Sequence, residues 1–413
     1  MESLKTIARK IKKKGARGTL QVIKTKSIVI FNKTLMPIKL QKLVKETKEK
    51  YENINLHEIR EKTLSYIENM RIKEGPYGQY KYSASQNVPV LYASCYAALT
   101  RHLYGDLDRL SKKEREEWIN YILSFQDDDG LFKDFTIKNE IAENCDWWGW
   151  RHLTLHALMA LTALGGKTLK PFAIIKPFSK KGAITHWLET RNWKNDPAHV
   201  SNEVQNYGTL LQYARDFQNE TWCEDALQEM YNWLDRTQDP KTGLWGNRFN
   251  DPISLSNGVQ TAYHILLLYF YDRRPIQYME RIIDSCLKTQ NQFGGFGVPL
   301  NSSACEDIDS IDPLVRFSRL TDYRKKDVET ALKKALLWVL VNLNPDGGFV
   351  FRRMEPFTYG HYLMSSKKNE SAMFPTWFRT LSLAYISKCI SNSFLGKFEW
   401  QFIKCPGLQF WQE

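Results

Sequence analysis

The sequence predicts an all-α protein: a closed ring of about six helical hairpins, an α/α toroid (α/α6 barrel), preceded by a basic N-terminal arm. Three observations predict it. A turn phrase of Gln or Asn, then Asp or Gly, closed by an aromatic residue, recurs along the chain. Each phrase follows an amphipathic helical pattern and precedes a helix that is apolar nearly all round. The phrases recur at roughly 50 residues once a degenerate copy is allowed for, the period of helical-hairpin arrays.

The arm comes first. Residues 1–50 hold 15 Lys or Arg against 3 Glu, which accounts for the whole net charge of +12 and leaves the rest of the chain neutral. Leu4, Ile7, Ala8 and Ile11 recur at helical spacing, with Lys5, Arg9, Lys10, Lys12, Lys13 and Lys14 on the other faces. Such a helix suits an anionic membrane surface, each cation adding about 1 kcal/mol there, so residues 1–31 are the expected membrane contact. A solvated basic helix packed on the main domain is the other reading. No nucleic-acid partner is expected, because no stacking aromatics interleave with the cations.

Residues 51–392 form the expected toroid, and 393–413 an aromatic tail (Phe394, Phe398, Trp400, Phe402, Phe410, Trp411) expected to pack on it. The turn phrases are Gly75-Pro76-Tyr77-Gly78, Gln126 to Phe132, Gln238 to Gly246, Gln290 to Gly297 and Asn344 to Phe349, with a degenerate copy at 184–193 that lacks the glycine turn. Glycine permits the tight turn and the aromatic can pack back on the helix just ended. Gln or Asn can satisfy free backbone groups at that helix end. The second helices are expected at Val90–Tyr104, Cys145–Leu164, Ser201–Phe217, Ser256–Tyr271, Ala304–Leu320 and Ser371–Ile390. Being the more apolar of each pair, they are expected to form the inner ring.

Composition sets limits. With 13 Trp, 20 Tyr and 21 Phe the chain has aromatics to line repeat junctions or a cavity. No apolar run of about 18 residues excludes a membrane-spanning helix, and no signal-peptide h-region is seen, so a cytoplasmic location is expected, with the arm on the inner membrane face. Seven scattered Cys without a CxxC pair read as reduced thiols.

The aromatic–glycine turns resemble the QW-type repeats of the squalene/hopene cyclase and protein prenyltransferase superfamily, over most of residues 55–392. The resemblance implies the α/α toroid. It speaks weakly about function, because one fold hosts many chemistries.

Polar starts of inner helices would converge on one rim. In Cys305-Glu306-Asp307-Ile308-Asp309-Ser310-Ile311-Asp312, the stretch Asp307 to Ser310 resembles the DxDD acid motif of class II terpene cyclases. The resemblance implies that Asp309 is the proton donor, with Asp307, Glu306 and Asp312 as its acidic company. Ser310 stands where that motif has its last Asp. The other reading is helix capping, although four acids in seven positions exceed what a first turn needs.

Four further clusters are candidate ligand contacts. Asp146, Trp147, Trp148 and Arg151 could stack on a sugar or a carbocation, or simply pack and pair. Asn202, Glu203 and Asn206, with Asn257, Gln260 and His264, would bring amides and a carboxylate to the same rim, or cap it. His361 and Glu370 belong to a long connection suited to a binding loop, and Trp377 opens the last inner helix. A zinc site from Cys305, Asp307 and His361 has the residue types of protein prenyltransferases, but with the Asp/Cys order reversed. No metal and no cofactor are expected.

Three functions stay open: a terpenoid cyclase-like or prenyltransferase-like enzyme with Asp309 as general acid, a carbohydrate-active toroid (lyase, epimerase or hydrolase) on a surface glycan, and a non-catalytic scaffold. The expected partner is an isoprenoid or glycan small molecule.

Overall fold

The structure, a computed structural model, describes residues 35–51, 55–246, 249–390, 395 and 397–412. The chain divides into two compact units, residues 1–53 and 54–413. In the first, helix α1 spans Met36–Tyr51. The basic segment 1–31, with its expected membrane-surface helix, lies outside the described residues.

The second unit is an α/α toroid of six hairpins among the described residues. The outer helices are α2 (Leu56–Met70), α4 (Lys112–Leu123), α6 (Ala183–Glu189), α8 (Cys223–Thr237), α10 (Met279–Lys288) and α12 (Lys325–Val341). The inner helices are α3 (Leu91–Leu103), α5 (Gly149–Leu164), α7 (Pro197–Phe217), α9 (Pro252–Tyr271), α11 (Ala304–Leu320) and α13 (Met373–Cys389). Each inner helix packs on the next, and α13 returns to α3, so the ring closes. Every residue from Leu91 to Arg101 is buried, as an inner helix requires. The degenerate third hairpin has the shortest outer helix, α6, preceded by a 3₁₀ run at Ala173–Ser179.

The recurring turns do more than reverse the chain. Gln126 Nε2 donates to Gly130 O of its own turn and to Lys170 O of the next hairpin, at 3.0 and 3.1 Å. Gln238 repeats this with Gly243 O and Gln277 O, and Gln290 with Gly294 O and Ala331 O. The glutamine therefore bridges consecutive hairpins instead of capping its own helix end. Gly130, at φ +85°, lies so close that an added Cβ would meet Pro171 O at 2.1 Å. Gly347 does the same against Lys62 O at 2.2 Å, which is the sixth turn seated on the first outer helix. Turn geometry and close approach both demand glycine here.

Residues 397–412 enter the ring from the end where the inner helices finish. Gly407 sits where a Cβ would meet Met159 Sδ at 2.6 Å, and Gln409 Nε2 reaches Leu99 O at 3.0 Å. Trp377 Nε1 donates to Gln409 Oε1 at 2.7 Å. Cys405, Leu408, Gln409 and Phe410 are buried. This tail is a plug.

Candidate functional site

The four acids of α11 part company in the structure. Ser303 caps the helix, and Glu306 closes the capping box by accepting from Ser303 N at 2.7 Å and pairs with Arg352 at 2.8 Å. Asp307 accepts from Phe296 N at 2.9 Å and Ser302 Oγ at 2.8 Å, and pairs with fully buried Arg379 at 2.9 Å. In two other hairpins the turn aromatic's N–H is held by a threonine, Thr154 for Phe132 and Thr376 for Phe349. Asp307 occupies that same post, an acid doing a turn-anchoring job. Asp312 pairs with Arg316 at 2.5 Å, beside the plug.

Asp309 alone has neither a cation nor a hydrogen-bond donor on its carboxyl among the described residues. It is 3% exposed. Burial pushes its carboxyl well above the usual carboxylate range, and Glu306, Asp307 and Asp312 push the same way. A carboxyl so placed is biased toward its protonated form.

Cys305 precedes Asp309 by one helical turn and keeps part of its surface accessible, although burial raises its thiol well above the ordinary value. His264 on α9 shows the same pairing. It is half-buried, and burial pushes its imidazole down to about 4. Both groups are desolvated and still partly accessible. Ser201 Oγ lies 3.0 Å from His264 Nδ1 and fixes the ring, and Nε2 has no partner among the described residues.

A second polar cluster is built at the starts of α5 and α7. Arg151 grips Asp146 with two bonds of 2.7 and 2.6 Å, and Asn206 Nδ2 donates to the same carboxylate at 2.8 Å. Glu203 pairs with Arg191 at 3.2 Å, and burial, reinforced by Asp146, raises its carboxyl. Ligand atoms of Asp146, His199 and Glu203 lie within 4.8 Å of one another, a spacing that could hold a metal ion. Arg151 already holds both oxygens of Asp146, and Arg191 holds one oxygen of Glu203.

The connection from Phe351 to Ala372 packs against Trp147 and Trp148 before α5 and against Phe374 of α13. Its short β1 (Phe357–Thr358) pairs antiparallel with β2 (Ser365–Ser366). Phe351 stacks on Phe357 at 3.8 Å, and Tyr359 stacks on Phe374 at 4.6 Å. Tyr359 OH donates to Trp147 O at 2.8 Å and lies 3.4 Å from His152 Nε2, whose Nδ1 is 2.8 Å from Tyr92 OH. Burial holds the His152 imidazole well below its ordinary value. Burial raises the Tyr359 hydroxyl, and Cys305 and Asp309 are near enough to push the same way.

The remaining candidates are distributed more widely. Trp147 is 42% exposed at the mouth. Trp148 is fully buried, its ring against Gly360, and Trp377 is core, bonded to the plug. Asn202 and Gln260 bond within their own helices, to Ala198 O and Ser256 O, and Asn257 is exposed. His361 caps the short 3₁₀ helix Tyr362–Met364. Glu370 ties the loop to the first hairpin through Ser85 N and Oγ at 2.7 and 2.9 Å. Sequence reasoning missed Tyr359 and the role of Arg379. Tyr359 precedes Gly360, where a Cβ would meet the Trp148 ring at 2.3 Å, a contact that no sequence signal announces.

Comparison with known proteins adds three findings. The family model described as prenyltransferase alpha-alpha toroid domain matches residues 41–194 and 208–370. Among solved structures, a family 76 glycoside hydrolase from a bovine Bacteroides thetaiotaomicron strain aligns over 83% of this chain and 79% of its own, with a TM-score of 0.47 and 11% identity. No curated protein matches.

Proposed function

The chain belongs to the prenyltransferase alpha-alpha toroid domain family, and from that premise we propose that it is an acid-initiated enzyme acting on an isoprenoid, with Asp309 as general acid. The observation that carries this reading is the isolation of Asp309: four acids share one helix, and only this one lacks a counter-charge and a donor. A neutral carboxyl near Tyr359, whose ring stacks with Phe357 and Phe374, can protonate an alkene, and the aromatic faces favour the cation that results. Cyclisation by attack of a second double bond, then loss of a proton, would return a neutral product.

The test is turnover of linear isoprenoid alcohols in deuterated water. The Asp309 proton exchanges with solvent, so one deuterium is expected on product carbon, and none with Asp309→Asn. An inert wild-type protein, or a variant that still labels product, overturns the reading.

A second reading, acid–base chemistry on a glycan, is favoured by the α5–α7 cluster. There a carboxyl raised by burial, Glu203, stands close to a carboxylate fixed by arginine, Asp146, the division of labour that two-carboxylate sugar chemistry uses. Glu203→Gln separates the two: it abolishes glycan turnover and spares Asp309 chemistry. We also assign residues 1–31 to an anionic membrane surface on their charge pattern. No helix among the described residues is long and apolar enough to cross a membrane.

A further inference from the structure

A cleft opens at the plug end, where α9 and α11 finish. Its volume is 360 Å³, and Arg273, Arg274, Arg319, Phe270, Leu320 and Trp411 line it together with Arg316. Among the described residues, no carboxylate lines it. Arg316 is neutralised by Asp312, but Arg273, Arg274 and Arg319 have no carboxylate partner among the described residues. The nearby acids are committed elsewhere: Asp272 to Arg215 and Tyr231, Asp235 to Tyr269 OH.

Helix ends explain part of this charge, because a cation complements the C-terminal dipole. Each helix end amounts to about half a charge, so two ends offset about one of the three arginines. The surplus is close to two positive charges, with Arg273 and Arg319 at the exposed edge of the cleft. The Nε of Arg274 is moreover buried with no acceptor, while its Nη1 donates to Gln228 Oε1 at 3.0 Å and its guanidinium lies 4.3 Å from the Tyr231 ring centre. That Nε is closed to the cleft, so the arginines open to a ligand there are Arg273 and Arg319, both exposed. Opposite the arginines the wall is apolar, with Phe270, Trp411 and Leu320, the last 61% exposed.

We propose that this cleft binds a phosphoryl group carried on an apolar body. Arginine is the residue suited to bidentate phosphate contacts, and the apolar wall discriminates an amphiphile from inorganic phosphate. The same chemistry is presented by a soluble alkyl phosphate and by a phospholipid headgroup at a bilayer surface. Trp411 belongs to the plug, so occupancy is coupled to the segment that closes this end of the ring.

The experiment uses the full chain and titrates decyl phosphate, decanol and inorganic phosphate, then vesicles of phosphatidylcholine with and without phosphatidylglycerol. Wild-type protein is compared with Arg273→Ala/Arg319→Ala, two exposed positions, and with Asp309→Asn. A soluble source gives decyl phosphate at least tenfold tighter binding than either decanol or phosphate, weakened tenfold or more in the arginine variant. A lipid source gives binding to the anionic vesicles that falls by the same factor in that variant, without soluble binding. In both cases Asp309→Asn binds as wild type, so failure here and failure of the acid chemistry are read separately. No binding of any probe, or binding that the arginine variant leaves unchanged, overturns the proposal. Arg319→Lys with an unaltered melting temperature and weakened binding excludes misfolding as the cause.

Discussion

The two ends of the toroid are built from the same inner helices and are finished differently. At the plug end, polar side chains terminate on backbone carbonyls of the tail: Arg316 on Phe410 O at 2.8 Å, Tyr385 on Leu408 O at 2.5 Å. Gln409 itself is satisfied on both sides, by Trp377 and by Leu99 O. At the mouth, Asp309 and His264 Nε2 have no partner among the described residues, and Cys305 keeps accessible surface. Buried polar groups are normally paired, and a group left incomplete calls for an explanation. The contacts of Gln409 and Arg316 with the tail are finished as structure, whereas the arginine cleft beside the tail and the acid at the mouth are left available to ligands.

That contrast can be broken first at Arg379. Arg379→Ala strands Asp307 as a buried charge without its cation and is expected to cost about 3–5 kcal/mol. The measurement is the urea midpoint at constant slope, and a loss below about 1 kcal/mol would show that Asp307 is not anchored as described. His264 and Asp309 sharpen the mouth side through pH. Between pH 6.5 and about 4 the folded His264 imidazole is neutral while the unfolded one is protonated, so stability is lost as pH falls through that window. The slope is about 1.4 kcal/mol per pH unit for one group, and His264→Gln is expected to remove it.

Asp309 has the opposite sign. The folded carboxyl keeps a proton that the unfolded chain releases above about pH 4, so stability falls as pH rises from there toward the raised folded value. Asp309→Asn therefore flattens the curve and is more stable than wild type at neutral pH. A variant less stable at pH 7 than wild type would sink the protonated assignment. Gln409→Ala tests the plug: it leaves Trp377 Nε1 unpaired and removes the tail's bond to Leu99 O, at about 1–3 kcal/mol, with the pH profile of the mouth unchanged. Trp147→Ala is the smallest change. Stability stays within about 0.5 kcal/mol because the ring is largely at the surface, while ligand capture at the mouth weakens.

The ring itself was legible because hydrophobic period and turn chemistry agree along the chain; α11 begins at Ala304 and ends at Leu320, the expected span. The turns were read for their local logic, and what escaped was their reach between hairpins. Nothing in Gln126 itself says that its amide will find Lys170 O, since that contact depends on how neighbouring hairpins stack. The site was legible in residue types and not in partnership. Asp307 and Asp309 look equivalent in sequence, and they part because one faces the turn and Arg379 while the other has neither a cation nor a donor among the described residues. Tyr359 was invisible for a related reason, since a loop residue gains its role only from the surface on which the loop comes to rest.

Ring closure also orders events in time. The seam between first and last hairpins joins residues about as far apart as the chain allows: Thr63 Oγ1 bonds Gly347 O at 2.8 Å, and Ser83 bridges Ala372. A chain emerging from the ribosome completes five hairpins while the partner of the first is still unmade. Until α13 arrives the intermediate is an open crescent with two apolar flanks, one on α3 and one on α11. Such long-range seams close late and leave sticky surfaces during synthesis. Nascent chains arrested before residue 373 are therefore expected to bind chaperones, and chains released after the plug to leave them.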